Sequence, residues 1–225
     1  MKRRPKVVVL ATGGTIAGKG KPGDVAGYRP GAISIHSLTQ SISGLGEIAD
    51  IEEIQVSNIN SDDITSSLWL RLAGLINTLS LRDDIDGFVI THGTDTMEET
   101  AFFLHLVVKT EKPVVVTGAM RPSTATSADG PMNLYQSIVV ASSREARGKG
   151  VVCVFSDSIY CARDFQKLST TSVTAFGGRD FGMMGYVLDR RVLLYNTSLK
   201  PHTTASEFSV DGISSLPKVG ILLFH

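Results

Sequence analysis

Lys6-Val7-Val8-Val9-Leu10-Ala11, running straight into Thr12-Gly13-Gly14-Thr15-Ile16-Ala17-Gly18, decides the fold. An unbroken β-branched run with no polar alternation fits a strand covered on both faces, as in a parallel sheet. Similar runs recur at residues 51–56, 87–91, 113–117 and 151–155, which predicts five parallel strands. Between them, Leu68, Leu72, Leu75 and Leu79 fall at helical spacing, as do Met97, Ala101, Leu104 and Val108, and a third helix fits residues 131–142. Strands alternating with helices predict an α/β fold, a doubly wound and mostly parallel sheet with helices on both faces, Rossmann-like in plan.

Past Arg163 the pattern loosens into Ser, Thr and Gly. Residues 186–189 and 192–195 around Arg190-Arg191 predict a hairpin, and Leu216-Pro217-Lys218 opens an expected last strand at 219–224. An α/β unit would continue from such a strand into a helix. The expected organisation is therefore one domain over 1–215, then a linker and the first strand of a further domain over 216–225.

With 22 basic and 22 acidic side chains the formal charge is zero, so no overall field draws the chain to nucleic acid or to an anionic membrane. No apolar run approaches the roughly 20 residues that span a bilayer. The basic opening Met1-Lys2-Arg3-Arg4-Pro5-Lys6 precedes an apolar run too short for a signal peptide, so the expected compartment is the cytoplasm, or the periplasm if a leader has been removed. Cys153 and Cys161, a lone pair, suggest buried free thiols rather than a disulfide framework or a zinc site. Small-molecule chemistry is the expectation that remains.

In open α/β sheets, ligands bind outside the carboxyl ends of the strands, so the turns there are where function is sought. Thr15 sits on the glycine turn after the first strand. Gly13 to Lys19 resembles a phosphate-binding loop, but the residue after the lysine is Gly20, where Ser or Thr is needed to hold Mg²⁺. The dinucleotide fingerprint fails as well, its glycines being out of register. Tyr28 lies in a Gly-, Pro- and Lys-rich stretch over 18–31 that could close as a lid. Ser61 or Asp62 could cap a helix from Thr65, and Asp95 one from Thr96 with Glu98 as its capping-box partner. A metal held by His92, Asp95 and Glu99 lacks a second histidine at ligand spacing. Lys167, near Arg163-Asp164, gains interest only beside the Thr94-Asp95 turn, where a partly desolvated amine could move a proton from a threonine hydroxyl.

Three segments together, 11–18, Thr91-His92-Gly93-Thr94-Asp95-Thr96-Met97-Glu98-Glu99-Thr100 and Gly118-Ala119-Met120-Arg121-Pro122, closely resemble the bacterial-type L-asparaginases, particularly the type II branch. The resemblance implies an amidohydrolase that releases ammonia from L-asparagine, and in many members from L-glutamine, through a threonine nucleophile and a covalent acyl-enzyme. It implies no metal and no organic cofactor. By resemblance Thr15 is the nucleophile, Tyr28 helps activate it, and Thr94, Asp95 and Lys167 form a second catalytic group. Ser61, Asp62, Thr94 and Asp95 match substrate-binding positions, and Gly14 and Ala119 line the pocket with backbone.

Family members are dimers of dimers whose sites are completed by a neighbour's C-terminal domain. Many relatives carry glutamine where this chain has Asp62, which leaves the choice between asparagine and glutamine open. The helix pair that bears a disulfide in some periplasmic relatives has no cysteine here, with Leu81 and Thr110 in those regions. Two competing readings are a half-site that binds asparagine, aspartate or a partner chain without turnover, and the ammonia-supplying subunit of a tRNA amidotransferase. The neutral charge argues against the second.

Overall fold

The structure, a computed structural model, describes residues 3–223. Strands β1 (Lys6–Gly13), β2 (Asp50–Ile59), β3 (Gly87–Thr91), β4 (Val114–Thr117) and β5 (Val151–Phe155) are parallel neighbours in the order β5-β4-β3-β1-β2. These are the five strands expected. A two-residue turn at Ser156-Asp157, both at positive φ, folds β6 (Ser158–Cys161) back antiparallel onto β5. The next two strands, β7 (Phe165–Lys167) and β8 (Phe176–Gly178), leave the sheet and, among the described residues, pair only with each other. The expected hairpin forms as β9 (Gly185–Leu188) and β10 (Arg191–Leu194), and it extends the main sheet through β6 to eight strands.

Helices cover both faces because β1 is buried from either side. Val7, Val9 and Ala11 pack toward α1 (Ile35–Gln40), α2 (Leu45–Ile48) and α5 (Gly130–Ser142). Val8 and Leu10 pack toward α3 (Ser66–Leu79) and α4 (Met97–Val107). Each fully buried Val or Leu contributes about 1.5–3 kcal/mol relative to exposure, so a strand apolar from Val7 through Ala11 holds its place only in the middle of such a sandwich. From β1 the chain crosses to β2 on one side and then to β3 on the other. That reversal opens a crevice at the carboxyl ends of β1 and β3, the usual ligand position in this architecture.

Three local expectations are corrected. Residues 219–223 form no strand, because among the described residues no ladder lies alongside to accept their backbone groups; Phe224, the end of the expected strand, lies outside the described residues. Helix α3 is capped by Thr65, whose hydroxyl accepts from Leu68 N at 3.3 Å, so Ser61 and Asp62 are left to a separate 3₁₀ turn, Ser61–Asp63. Helix α4 starts at Met97 behind Thr96, with no side-chain cap, which frees Asp95 and Glu98 for other partners. No helix among the described residues is long and apolar enough to cross a membrane.

Candidate active site

The turn after β1 has little freedom. Gly14 holds φ 77° and ψ −170°, a conformation almost reserved for glycine. A Cβ there would lie 2.4 Å from both Cα and N of Gly93, so the turns after β1 and β3 touch backbone to backbone. The 3₁₀ turn Thr15–Ala17 follows, with Thr15 only 8% exposed and its Oγ1 2.7 Å from Tyr28 Oη.

Tyr28 reaches Thr15 because its loop is tied down at several points. Lys19 and Arg29 exchange backbone hydrogen bonds of 3.0 and 2.9 Å, which closes the loop on itself. Gly20 N donates to Thr124 Oγ1 and Gly23 N to Thr124 O, each at 2.9 Å, while Ser123 Oγ donates to Gly18 O at 2.8 Å. The expected lid is thus a flap latched to the segment after β4.

The turn after β3 is held by a directed hydrogen-bond chain. Trp69 Nε1, which can only donate, gives its proton to Thr100 Oγ1 at 2.7 Å; the Thr100 hydroxyl then donates to His92 Nε2 at 2.9 Å, and His92 Nδ1 donates to Gly93 O at 2.7 Å. Both ring nitrogens of His92 are therefore engaged within the chain. Complete burial pushes His92 down to about 4, outweighing the opposite effect of its bond to Gly93, so the imidazole is neutral at pH 7. The result is a rigid Gly93-Thr94-Asp95 turn.

Lys167 meets that turn from the separate ribbon. Its Nζ donates to Thr94 Oγ1 at 2.9 Å and to Asp95 Oδ1 at 2.5 Å. The lysine side chain is 15% exposed and the aspartate 56%, so the ion pair faces water on one side and its Coulomb energy is modest. What the contact fixes is position. Because a lysine ammonium only donates, Thr94 Oγ1 accepts and keeps its own proton free to give to a bound group.

Ser61, 2% exposed, joins the same turn: its Oγ accepts from Asp95 N at 3.3 Å and its carbonyl accepts from Thr96 Oγ1 at 2.9 Å. Asp62 points elsewhere, exposed and accepting from Asn60 Nδ2 at 3.1 Å. Ala119 is fully buried just beyond β4, on a turn whose Met120 and Arg121 N–H groups both donate to the Asp129 carboxylate at 2.9 Å. The structure thus brings together Thr15 with Tyr28, and Thr94, Asp95 and Lys167 with Ser61.

Several working residues gave no sign in the sequence. Asp129 lies far enough from the turn it anchors that no short motif marks it. Ser123 and Thr124, the flap latch, read as an ordinary polar loop. Glu98, expected in a capping box, instead accepts from the backbone N of Lys167 at 2.6 Å.

Fold and site together define a doubly wound α/β domain with a hydroxyl-lined crevice at its topological switch point. The sequence matches the family described as Asparaginase, N-terminal, over residues 6–200. The chain belongs to this asparaginase family. It is 45% identical over 218 residues to the "Probable L-asparaginase periplasmic" of Haemophilus influenzae, covering 97% of this chain and 62% of that protein. It is 44% identical over 219 residues to the "Glutaminase-asparaginase" of Acinetobacter glutaminasificans, covering 96% of this chain and 66% of the relative. The crystal structure of "Probable Cytoplasmic L-asparaginase from Campylobacter jejuni" superposes with a TM-score of 0.93 at 46% identity, over 96% of this chain and 66% of that one. The chain therefore spans just under two thirds of the length of these relatives.

Proposed function

We propose that the chain is the catalytic N-terminal domain of an L-asparagine amidohydrolase, with Thr15 as nucleophile. The observation that carries this reading is the pair of threonines at the switch point, each hydrogen-bonded to a second group: Thr15 to Tyr28 at 2.7 Å and Thr94 to Lys167 at 2.9 Å. An amide is a poor electrophile and a neutral hydroxyl a weak nucleophile, so the reaction needs a proton path at each end.

In acylation, Thr15 Oγ1 bonds to the side-chain amide carbon and the C–N bond breaks. The hydroxyl proton, relayed over Tyr28 and Thr94, ends on the departing nitrogen, which leaves as ammonia. In deacylation a water adds to the ester carbon, its proton returns to Thr15 Oγ1, and aspartate leaves. Lys167, donating into Thr94, makes that hydroxyl a better acid toward the leaving group. Backbone N–H groups of the two turns stabilise the oxyanion, a contribution of about 2.7–4 kcal/mol for one well-aimed donor.

In the same reading Ser61 and Asp95 receive the substrate's α-carboxylate and α-amino groups, with Gly14 and Ala119 shaping the floor. Asp62 biases the choice between asparagine and glutamine, and no metal or organic cofactor takes part. The domain extends to about residue 215 and works in a dimer of dimers. Support for association is the exposed apolar surface at Phe181, Tyr195 and Leu199. The cytoplasm is the proposed compartment, supported by two free, buried thiols.

The test is ammonia release from L-asparagine by the chain and by its Thr15→Ala and Thr94→Ala variants, each checked for fold by circular dichroism. Release that disappears in both variants is the expected result. Ordinary hydrolysis by either variant would overturn the assignment. A folded chain that is heat-stabilised by asparagine yet releases no ammonia would replace it with a binding half-site.

A further inference from the structure

The ribbon that carries Lys167 has an unusual mechanical problem. Its strands are three residues each and make no ladder with the main sheet, so backbone pairing cannot set where Lys167 stands relative to Thr94. Its base is fixed by aromatic packing and one hydrogen bond: Phe165 stacks on Phe176 with centroids 4.4 Å apart, Phe176 meets Phe155 of β5 at a tilt with centroids 4.7 Å apart, and Tyr160 Oη of β6 donates to Phe176 O at 3.3 Å. The turn at its start is fixed by the buried Asp164, whose carboxylate accepts from Asp180 N and Phe181 N at 2.8 and 2.9 Å. Across the ribbon Lys167 stands opposite the anchored Phe176, but neither device bonds to its N–H or its Nζ.

One contact does. The Lys167 N–H donates to Glu98 Oε2 at 2.6 Å, and Glu98 stands in the first turn of α4, three residues beyond Asp95. We infer that Glu98 is a positioning residue, a carboxylate that clamps the Lys167 backbone to the helix following the Thr94-Asp95 turn and so sets the Nζ-to-Thr94 distance. Lys167 is then held at both ends by one short segment: Nζ by Thr94 and Asp95, and the backbone by Glu98. Rotation of the ribbon about its aromatic base is blocked by this two-point attachment. The inference rests on the proposed role of Lys167 in proton transfer, although the clamp can be measured without turnover.

Two substitutions separate the clamp from the bland alternative, a favourable charge at a helix N-terminus. Glu98→Gln removes the charge but keeps a carbonyl oxygen at the same reach. Glu98→Asp keeps the charge but withdraws it by one methylene. A helix-dipole role ranks Asp above Gln, since only the charge matters. The clamp ranks Gln above Asp, since only the reach matters.

The experiment measures kcat and KM for L-asparagine, with pH profiles, for wild type, Glu98→Gln, Glu98→Asp and Glu98→Ala. Glu99→Ala serves as a control on the same helical turn. Displacements of about 1 Å in a reacting group cost on the order of a hundredfold. Expected is a loss of kcat on that scale in the Asp and Ala variants at little change in KM, with Gln and the Glu99 control close to wild type and the pH profile of Gln unshifted. In parallel, the Lys167 amide proton is followed by NMR and hydrogen exchange; it should be protected in wild type and in Gln, and exposed in Asp and Ala. Equal kcat in all variants, or Asp active and Gln impaired, overturns the clamp. If wild type shows no turnover, the amide pattern still decides the clamp, and the failure belongs to the proposed reaction alone.

Discussion

Replacing Gly14 by alanine tests whether the contact between the two turns is as tight as the structure makes it. The new methyl group would sit 2.4 Å from Gly93 Cα and N, where ordinary contact begins at 3.4 Å, so backbone must move by about 1 Å. Overpacking of this kind costs about 1–3 kcal/mol. The φ 77°, ψ −170° conformation adds about another 1–3 kcal/mol for a residue with a Cβ. Alanine also restricts the unfolded chain, which returns about 0.4–1 kcal/mol. The net expectation is a loss of roughly 1–5.5 kcal/mol, or about 0.5 M or more in urea midpoint for a slope near 2 kcal/mol/M.

The matched control is Gly74→Ala, inside α3, exposed and with nothing among the described residues within 4 Å of the added methyl. There alanine should stabilise by up to about 1 kcal/mol through helix propensity. Both variants are read by urea titration followed by circular dichroism, together with ammonia release without urea. Separating the Thr15 and Thr94 turns by 1 Å should reduce turnover about a hundredfold even where the protein is folded. A Gly14→Ala protein with the urea midpoint and activity of wild type would refute the claim that the crevice is shaped by direct contact of Gly14 with Gly93.

Stability should fall on acidification. Burial takes His92 from 6.5 to about 4, and burial with the nearby His202 and Arg163 takes His105 to about 3, so between those values and 6.5 the unfolded chain binds more protons than the native one. The penalty grows as pH drops from 6.5 toward 4; for His92 alone it is on the order of 3 kcal/mol, and a urea midpoint unchanged between pH 7 and 4.5 would contradict it. Cys153 pairs with Tyr160 and Cys161 with Val152 across β5 and β6, and the two thiols enter opposite cores, so oxidation should produce no intramolecular disulfide. Thiol titration should find both groups slow in the native protein and fast in denaturant, and a mass loss of two hydrogens on mild oxidation would be the contrary result. Asp62→Gln should change the ratio of kcat/KM for asparagine over glutamine while leaving the urea midpoint in place, because Asp62 is exposed and bonded only to Asn60 among the described residues. An unaltered ratio removes Asp62 from the specificity argument.

The parallel part of the sheet was legible because β1, β3, β4 and β5 are buried on both faces in every residue but Lys6. β6 was not: its four residues alternate between buried and half-buried, and the turn before it uses Ser156-Asp157 where a glycine would have announced positive φ. β7 and β8 are too short for any periodicity to register. Helices α1 and α2 fail for the same reason, with six and four residues. At the site, the family resemblance marked Thr15, Thr94, Asp95 and Lys167. The residues that place them could not be read, because Glu98 and Asp129 act on backbone N–H groups, which leave no trace in side-chain pattern. Asp95 and Ser61 looked like helix caps for good local reasons, and long-range partners took them instead.

Trp69 is the single tryptophan of the chain. Its indole is stacked on Phe103 at 5.3 Å and wired through Thr100 and His92 to the carbonyl of Gly93, next to Thr94. The protein thereby carries its own optical gauge. A shift of the turn after β3 must lengthen or redirect a hydrogen bond somewhere along that chain, and the indole at its far end would change emission wavelength or lifetime. Occupancy of the crevice can then be followed in unlabelled protein, in real time, with no substrate consumed.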